Sequence, residues 1–171
     1  MSENHENTMW IIDGHLEISS RNHEKGPVVQ SHWHDYFEFE IVTGGTYLNT
    51  ISGQTHTAKR GCAWIMTYLD YHSVDCTEDS SLINISFTSD AVSSEISDIL
   101  SGTPGGFLCE FEEDEAEYII SLCKQAQFEY ETKPSLWKEA LSGLIENILI
   151  RTIRKSGEKS TSSQDKAPRL L

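Results

Sequence analysis

Between residues 31 and 45 the chain reads SHWHDYFEFEIVTGG, and this stretch limits the fold more than any other. Even positions carry His32, His34 and Glu38; odd positions carry Trp33, Phe37, Phe39 and Ile41. Successive side chains of a β-strand point to opposite faces. The run therefore predicts one strand with two imidazoles and a carboxylate on one face and an aromatic, aliphatic surface on the other. A strand that merely faced water would carry simple charged groups there. Histidines two apart, followed by a carboxylate, are residue types that hold a metal ion or a polar ligand.

The surrounding sequence places this strand in an all-β unit. From Thr8 to Ser89, short β-prone runs alternate with turn signals. TMWIIDG and HLEIS read as a hairpin about Asp13-Gly14. PVVQSHWH leads into the central run, and TYLNTIS, THTA, RGCAWIMT, YHSVDC and SLINISFT follow it. Strands this short, with turns at nearly every boundary, point to a sandwich or barrel.

After Ser89 the period changes to that of helices. SDAVSSEISDILSG repeats Val92, Ile96, Ile99 and Leu100 at helical spacing, TPGG stops it, and FLCEF reads as a last strand. EEDEAEYIISLCKQAQFEYET predicts a helix with an acidic first turn and with Ala116, Ile119, Ile120, Cys123 and Ala126 on one face. SLWKEALSGLIENILIRTIRKSG predicts a second long helix, starting at Pro134 or Ser135. The remainder, GEKSTSSQDKAPRLL, has the composition of a linker, and its apolar ending leads us to expect a further domain in the parent protein.

Charge and cysteine content exclude several classes. The 171 residues carry a net charge of -14, which repels phosphate backbones, so nucleic-acid binding by this chain alone is not expected. Cys62, Cys76, Cys109 and Cys123 form no CxxC pair and read as buried small hydrophobes in a reducing compartment. No apolar run suits a signal peptide or a membrane span, which points to a cytoplasmic protein. No Ser/His/Asp arrangement, phosphate loop or nucleotide fingerprint is present. His5, His15, His23 and His56 read as surface or turn residues, and Trp10, Trp33, Trp64 and Trp137 as packing anchors.

A fourth group joins the histidines of the central run if His72, eleven residues after Gly61, faces the same interior. Three imidazoles and one carboxylate suit Zn, Mn, Fe or Ni with open positions for another ligand. The spacing His-x-His, three residues, Glu, six residues, Gly45 resembles the first cupin motif, and Gly61 with His72 resembles the second. Thr67, Leu69 and Cys76 depart from the second motif, which usually has proline, glycine and asparagine there. The order of elements over residues 8–157 resembles the N-terminal half of an AraC-type transcriptional regulator. The resemblance implies a cupin-like double-stranded β-barrel (jelly roll), mainly β with C-terminal helices, followed by an antiparallel helical hairpin. It further implies a small-molecule effector, a sugar among the candidates, bound in the barrel by His32, His34, Glu38 and His72. These four are also the candidate ligands of a divalent transition metal. A hydrogen-bonded polar cluster without metal is the other reading of the same residues.

The last helix has apolar residues outside its main stripe. Trp137, Ala140, Leu141, Leu144, Ile145 and Ile148 share one face, and Leu149, Ile150 and Ile153 are expected opposite, at a homodimer interface. The alternative is that the other helix of the hairpin covers them. The expected division is a barrel over 1–110, a dimerising hairpin over 111–157 and a linker over 158–171 leading to a helix-turn-helix domain absent from this chain. DNA would then be bound only through that domain, with no membrane partner and no catalysis. The rival reading is a metal-dependent cupin enzyme, a dioxygenase or isomerase, using the same four side chains; nothing specific speaks for a storage or carbohydrate-handling cupin.

Overall fold

The computed structural model describes residues 15–164, with side chains described as far as 157. The expected first strand of the TMWIIDG hairpin, His5, Trp10 and residues 165–171 lie outside the described residues. Among the described residues the strands are β1 (Leu16–His23), β2 (Gly26–His32), β3 (Phe37–Gly44), β4 (Thr46–Ile51), β5 (Gln54–Lys59), β6 (Cys62–Met66), β7 (His72–Cys76), β8 (Ser80–Phe87) and β9 (Phe107–Glu110). The helices are α1 (Ser94–Ser101), α2 (Glu113–Thr132) and α3 (Trp137–Gln164). The strands form two antiparallel sheets, ordered β1-β8-β3-β6-β9 and β2-β7-β4-β5. The fold is mainly β with C-terminal helices, a cupin-like jelly roll backed by a helical hairpin.

The central run is not one strand. β2 ends at His32, residues 33–36 are irregular, and β3 begins at Phe37. His32 and Glu38 therefore belong to different sheets, and His34 sits on the connection between them. Trp33, expected to pack, is 58% exposed on that connection.

Alternation does hold within β3, but both of its faces are buried. Phe37, Phe39 and Ile41 point outward from the barrel and pack with Ile65, Ile83, Ile85 and Phe87 against α1, α2 and α3. Val42 on the other face joins Tyr47, Trp64, Met66, Val74 and Leu82 between the sheets. The chain thus has two cores separated by one sheet, which is why the aromatic face of the run lies under helices rather than in the barrel. Two glycines of the motifs make the sharp turns. Gly45 has φ +72°, and a Cβ there would collide with Ser80 and the Asp79 carbonyl. Gly61 has φ +87°, and a Cβ would press on the Phe111 carbonyl and Ala116 where α2 docks.

Helix α2 buries the expected Ala116, Ile119, Ile120, Cys123 and Ala126, and Leu122 as well. The expected helix after Ser89 divides into a 3-10 turn at Ser89–Ala91 and α1, and Ile99 is left 42% exposed. α3 starts at Trp137, after Lys133 and Leu136 take left-handed conformations, and its backbone runs to Gln164 through residues expected to begin the linker. A helix already nucleated adds a hydrogen bond with each further residue, so polar composition does not stop it. All four cysteines are buried free thiols. No described helix is long and apolar enough to cross a membrane.

Leu149 is not an interface residue. It is 1% exposed and lies in the subunit's own core with Leu141, Ile145 and Ile148. At 100° per residue Leu149 is only about 80° from Leu141, and Ile150 is about 180° from it. α3 also lies against both α2 and β9, which widens its buried arc. Ile150 and Ile153 are half-buried at the margin of that arc.

Candidate functional site

The interior side chains of β3 and β8 are polar at one end of the barrel. On β3 the inward positions are Glu38 and Glu40, 7% and 5% exposed; on β8 they are Asn84 and Ser86, 0% and 4% exposed. Strand pairing sets Glu40 beside Asn84 and Glu38 beside Ser86. From the facing sheet, His32 and His72 are register partners on β2 and β7. The connection between β2 and β3 folds His34 into the same space, where it is 6% exposed.

These groups converge. Glu38 Oε2 lies 3.3 Å from His34 Nε2 and 3.5 Å from His72 Nε2. One ring nitrogen each of His32, His34 and His72 lies within 4.8 Å of the other two. His32 Nδ1 is 3.0 Å from the Gln30 carbonyl and His34 Nδ1 is 2.8 Å from the Tyr36 carbonyl. A carbonyl accepts only, so each Nδ1 carries the proton and each Nε2 keeps its lone pair in the neutral ring. His72 Nδ1 is buried without a hydrogen-bond partner.

The charge states follow from these neighbours. Burial works against the Glu38 carboxylate, but the contacts from His34 and Asn84 and the positive charge of His34 and His72 outweigh it and hold its pKa below the usual range. Burial also disfavours charge on His34, yet the adjacent Glu38 and the Tyr36 carbonyl raise its pKa. His72 is driven down to about 4, chiefly by burial, so its imidazole is neutral at pH 7. Burial first, and then the charge of Glu38, pushes Glu40 up to about 8, so it is an uncharged acid at pH 7.

Several residues of the site were not legible as members of it. His15, expected at the surface, places Nε2 2.8 Å from Ser86 Oγ and its ring against Tyr36, centroids 4.9 Å apart. Tyr36 in turn stacks on His34 with centroids 4.1 Å apart and planes 2° from parallel. Asn84, Glu40 and Ser86 are known as neighbours of Glu38 only once β3 and β8 pair. Deeper in the barrel, both polar atoms of Asn49, the Trp64 indole nitrogen, Glu40 Oε2 and Asn84 Oδ1 are buried without hydrogen-bond partners. His23 bonds the Tyr47 hydroxyl at 2.8 Å, away from the cluster, and His56 sits half-buried on β5.

Asp70 supports the site from behind. It is 1% exposed; Oδ2 accepts from the Thr67 amide at 2.9 Å and hydroxyl at 3.0 Å, and Oδ1 accepts from the Gly105 amide at 2.8 Å. One carboxylate thus ties the turn that delivers His72 to the loop between α1 and β9. Thr67, a departure from the second cupin motif, serves here as its hydrogen-bond donor. Hydrogen bonds to a charged acceptor contribute about 1.5–3 kcal/mol each, net of the exchange with water. Asp70→Ala is expected to destabilise the chain by about 3 kcal/mol in urea unfolding, with a larger loss than at the exposed Asp75.

The three imidazoles are close enough together that they could hold a divalent metal ion, with Glu38 beside two of them. His32, His34 and His72 offer nitrogen, Glu38 offers an oxygen, and the Nδ1–carbonyl contacts orient two of the rings as outer-shell partners do in metal sites.

Comparison with known proteins bears on the fold and on the sequence. No protein-family model matches the chain. The HTH-type transcriptional activator RhaS of Yersinia pestis (strain Pestoides F) is 34% identical over 56 residues, 33% of this chain and 20% of that protein. RhaS of Yersinia pseudotuberculosis serotype O:1b (strain IP 31758) matches equally. The chain thus spans about a fifth of the length of the curated relatives it matches. Among solved structures, apo ToxT K231A from Vibrio cholerae strain SCE256 superposes with a TM-score of 0.60 at 10% identity, over 83% of this chain and 57% of that one. An RmlC-like cupin from Shewanella frigidimarina NCIMB 400 matches over 43% of this chain and 67% of that one, with a TM-score of 0.41 and 18% identity.

Proposed function

We propose that this chain, which resembles the N-terminal cupin-like part of an AraC-type transcriptional regulator, is a cytoplasmic sensor and dimerisation unit rather than an enzyme. In this reading a small molecule, a sugar among the candidates, binds at the His32, His34, Glu38 and His72 end of the barrel. DNA is bound by a separate domain of the parent protein, and two copies of this chain pair through α3 about Ile150 and Ile153.

One observation carries the reading. β3 presents Glu38 and Glu40 to the polar interior and Phe37, Phe39 and Ile41 to the core beneath α1, α2 and α3. A ligand that repositions Glu38 therefore acts on the strand on which the hairpin rests. Such a ligand can shift the arrangement of the helices if it binds two arrangements with different affinity.

The same four side chains would hold a divalent metal, and the ion would supply a coordination point for an oxygen or nitrogen donor of the effector. Purified without chelators and titrated with Zn²⁺, the chain is expected to bind one ion, read by elemental analysis and native mass spectrometry. His34→Ala is expected to lower that affinity by at least about tenfold, since one of four ligands and its oriented ring are lost. Absence of binding in the unaltered chain would leave the polar cluster as the reading of the site. A small molecule retained in the native mass spectrum would identify the effector directly.

A further inference from the structure

We propose that Asn84 is a positioning residue that presents Glu38 to the histidine cluster through a single oxygen. The inference rests on the metal reading of the site. Asn84 is 0% exposed, and its amide nitrogen donates to Glu38 Oε1 at 2.5 Å and to Glu40 Oε1 at 3.1 Å. An amide nitrogen has two hydrogens, and both acceptors are carboxyl groups at successive inward positions of β3. With Oε1 engaged, Glu38 turns Oε2 toward His34 Nε2 at 3.3 Å and His72 Nε2 at 3.5 Å.

The residue type matters. A serine or threonine hydroxyl has one hydrogen and cannot hold both carboxyls. An aspartate has none and would add a third acid. A lysine would itself neutralise Glu38 and compete with a metal for it. The asparagine amide is neutral, restrains the carboxylate and leaves its charge for the histidine side. Glu40 is the second anchor, since it holds the same amide nitrogen from the neighbouring inward position. While Asn84 holds Oε1 on the side away from the histidines, Oε2 is the oxygen that Glu38 presents to an ion. Asn84 and Glu38 are 46 residues apart in sequence and meet only through the pairing of β3 with β8.

Co²⁺ is the probe, because its visible absorption reports both affinity and coordination number. Asn84→Leu is expected to weaken Co²⁺ binding by about 10- to 100-fold, the usual scale for an outer-shell partner, and to change the band shape and intensity. Asn84→Ser, which keeps one donor, is expected to fall between it and the unaltered chain, and it serves if the leucine variant does not fold. Asn49→Leu alters another wholly buried interior amide that has no partner, and it should leave the Co²⁺ spectrum unchanged. The inference is overturned if both Asn84 variants bind Co²⁺ with unaltered affinity and spectrum, or if Asn49→Leu shifts the spectrum equally. A chain with native Asn84 that takes up no Co²⁺ removes the metal reading and this inference together, an outcome distinct from either of these.

Discussion

Leu149→Glu should leave little folded chain, whereas Ile150→Glu combined with Ile153→Glu should leave a folded monomer. The three residues are neighbours on one helix, and only burial separates them. Leu149 is 1% exposed among Leu141, Ile145 and Ile148, so a glutamate there would be an unpaired carboxylate inside the apolar core. Such a change costs upwards of about 4 kcal/mol, a large part of the stability of a single domain. Ile150 and Ile153 are half-buried, and their outer sides can receive charges that reach water. In a two-fold contact each charge would appear twice across the same apolar surface, which should separate the subunits. Sedimentation is expected to show a dimer for the unaltered chain and a monomer with native circular dichroism for the double variant. A double variant that stays dimeric would place the interface elsewhere. One that unfolds would assign both isoleucines to the subunit core.

Glu40→Gln should stabilise the chain increasingly as pH rises. Burial and the Glu38 charge raise the Glu40 pKa from 4.5 to about 8 in the folded chain. The folded state therefore holds this proton more tightly than the unfolded state does. The stability linked to it is fully present below about pH 4.5 and is lost as pH rises through about 8. Glutamine keeps an acceptor for Asn84 and cannot ionise, so it escapes that loss. With a chelator present, urea unfolding should show the two chains similar near pH 4.5. The variant should be more stable by on the order of 4 kcal/mol near pH 8. A difference that does not grow with pH would mean that Glu40 is already ionised in the folded chain at neutral pH.

Element type was largely legible because it depends on local periodicity. Alternating runs became β2 to β8, and the 3.6-residue pattern of Ala116, Ile119, Ile120, Cys123 and Ala126 became the buried face of α2. The reading of residues 31–45 as a single strand was wrong for an equally local reason. Parity continues across a bend, so His34 kept its even position although the backbone had left the sheet. Leu149 was misplaced because the width of a buried arc depends on how many elements a helix touches, and α3 lies against both α2 and β9.

By itself the sequence determined that a β-rich unit is followed by two amphipathic helices and that His32, His34, Glu38 and His72 are candidates for one site. It determined this because alternation, turn glycines such as Gly45 and helical spacing are properties of neighbouring residues. The tertiary structure decided which face of β3 looks into the barrel, that His15 and Tyr36 join the site, and that Asn84 stands between Glu38 and Glu40. Those outcomes depend on which strands pair and in what register, and pairing is set by the burial of two separate cores across the whole chain. A one-residue change of register between β3 and β8 would move Asn84 to the helix-packed face and leave both glutamates without it.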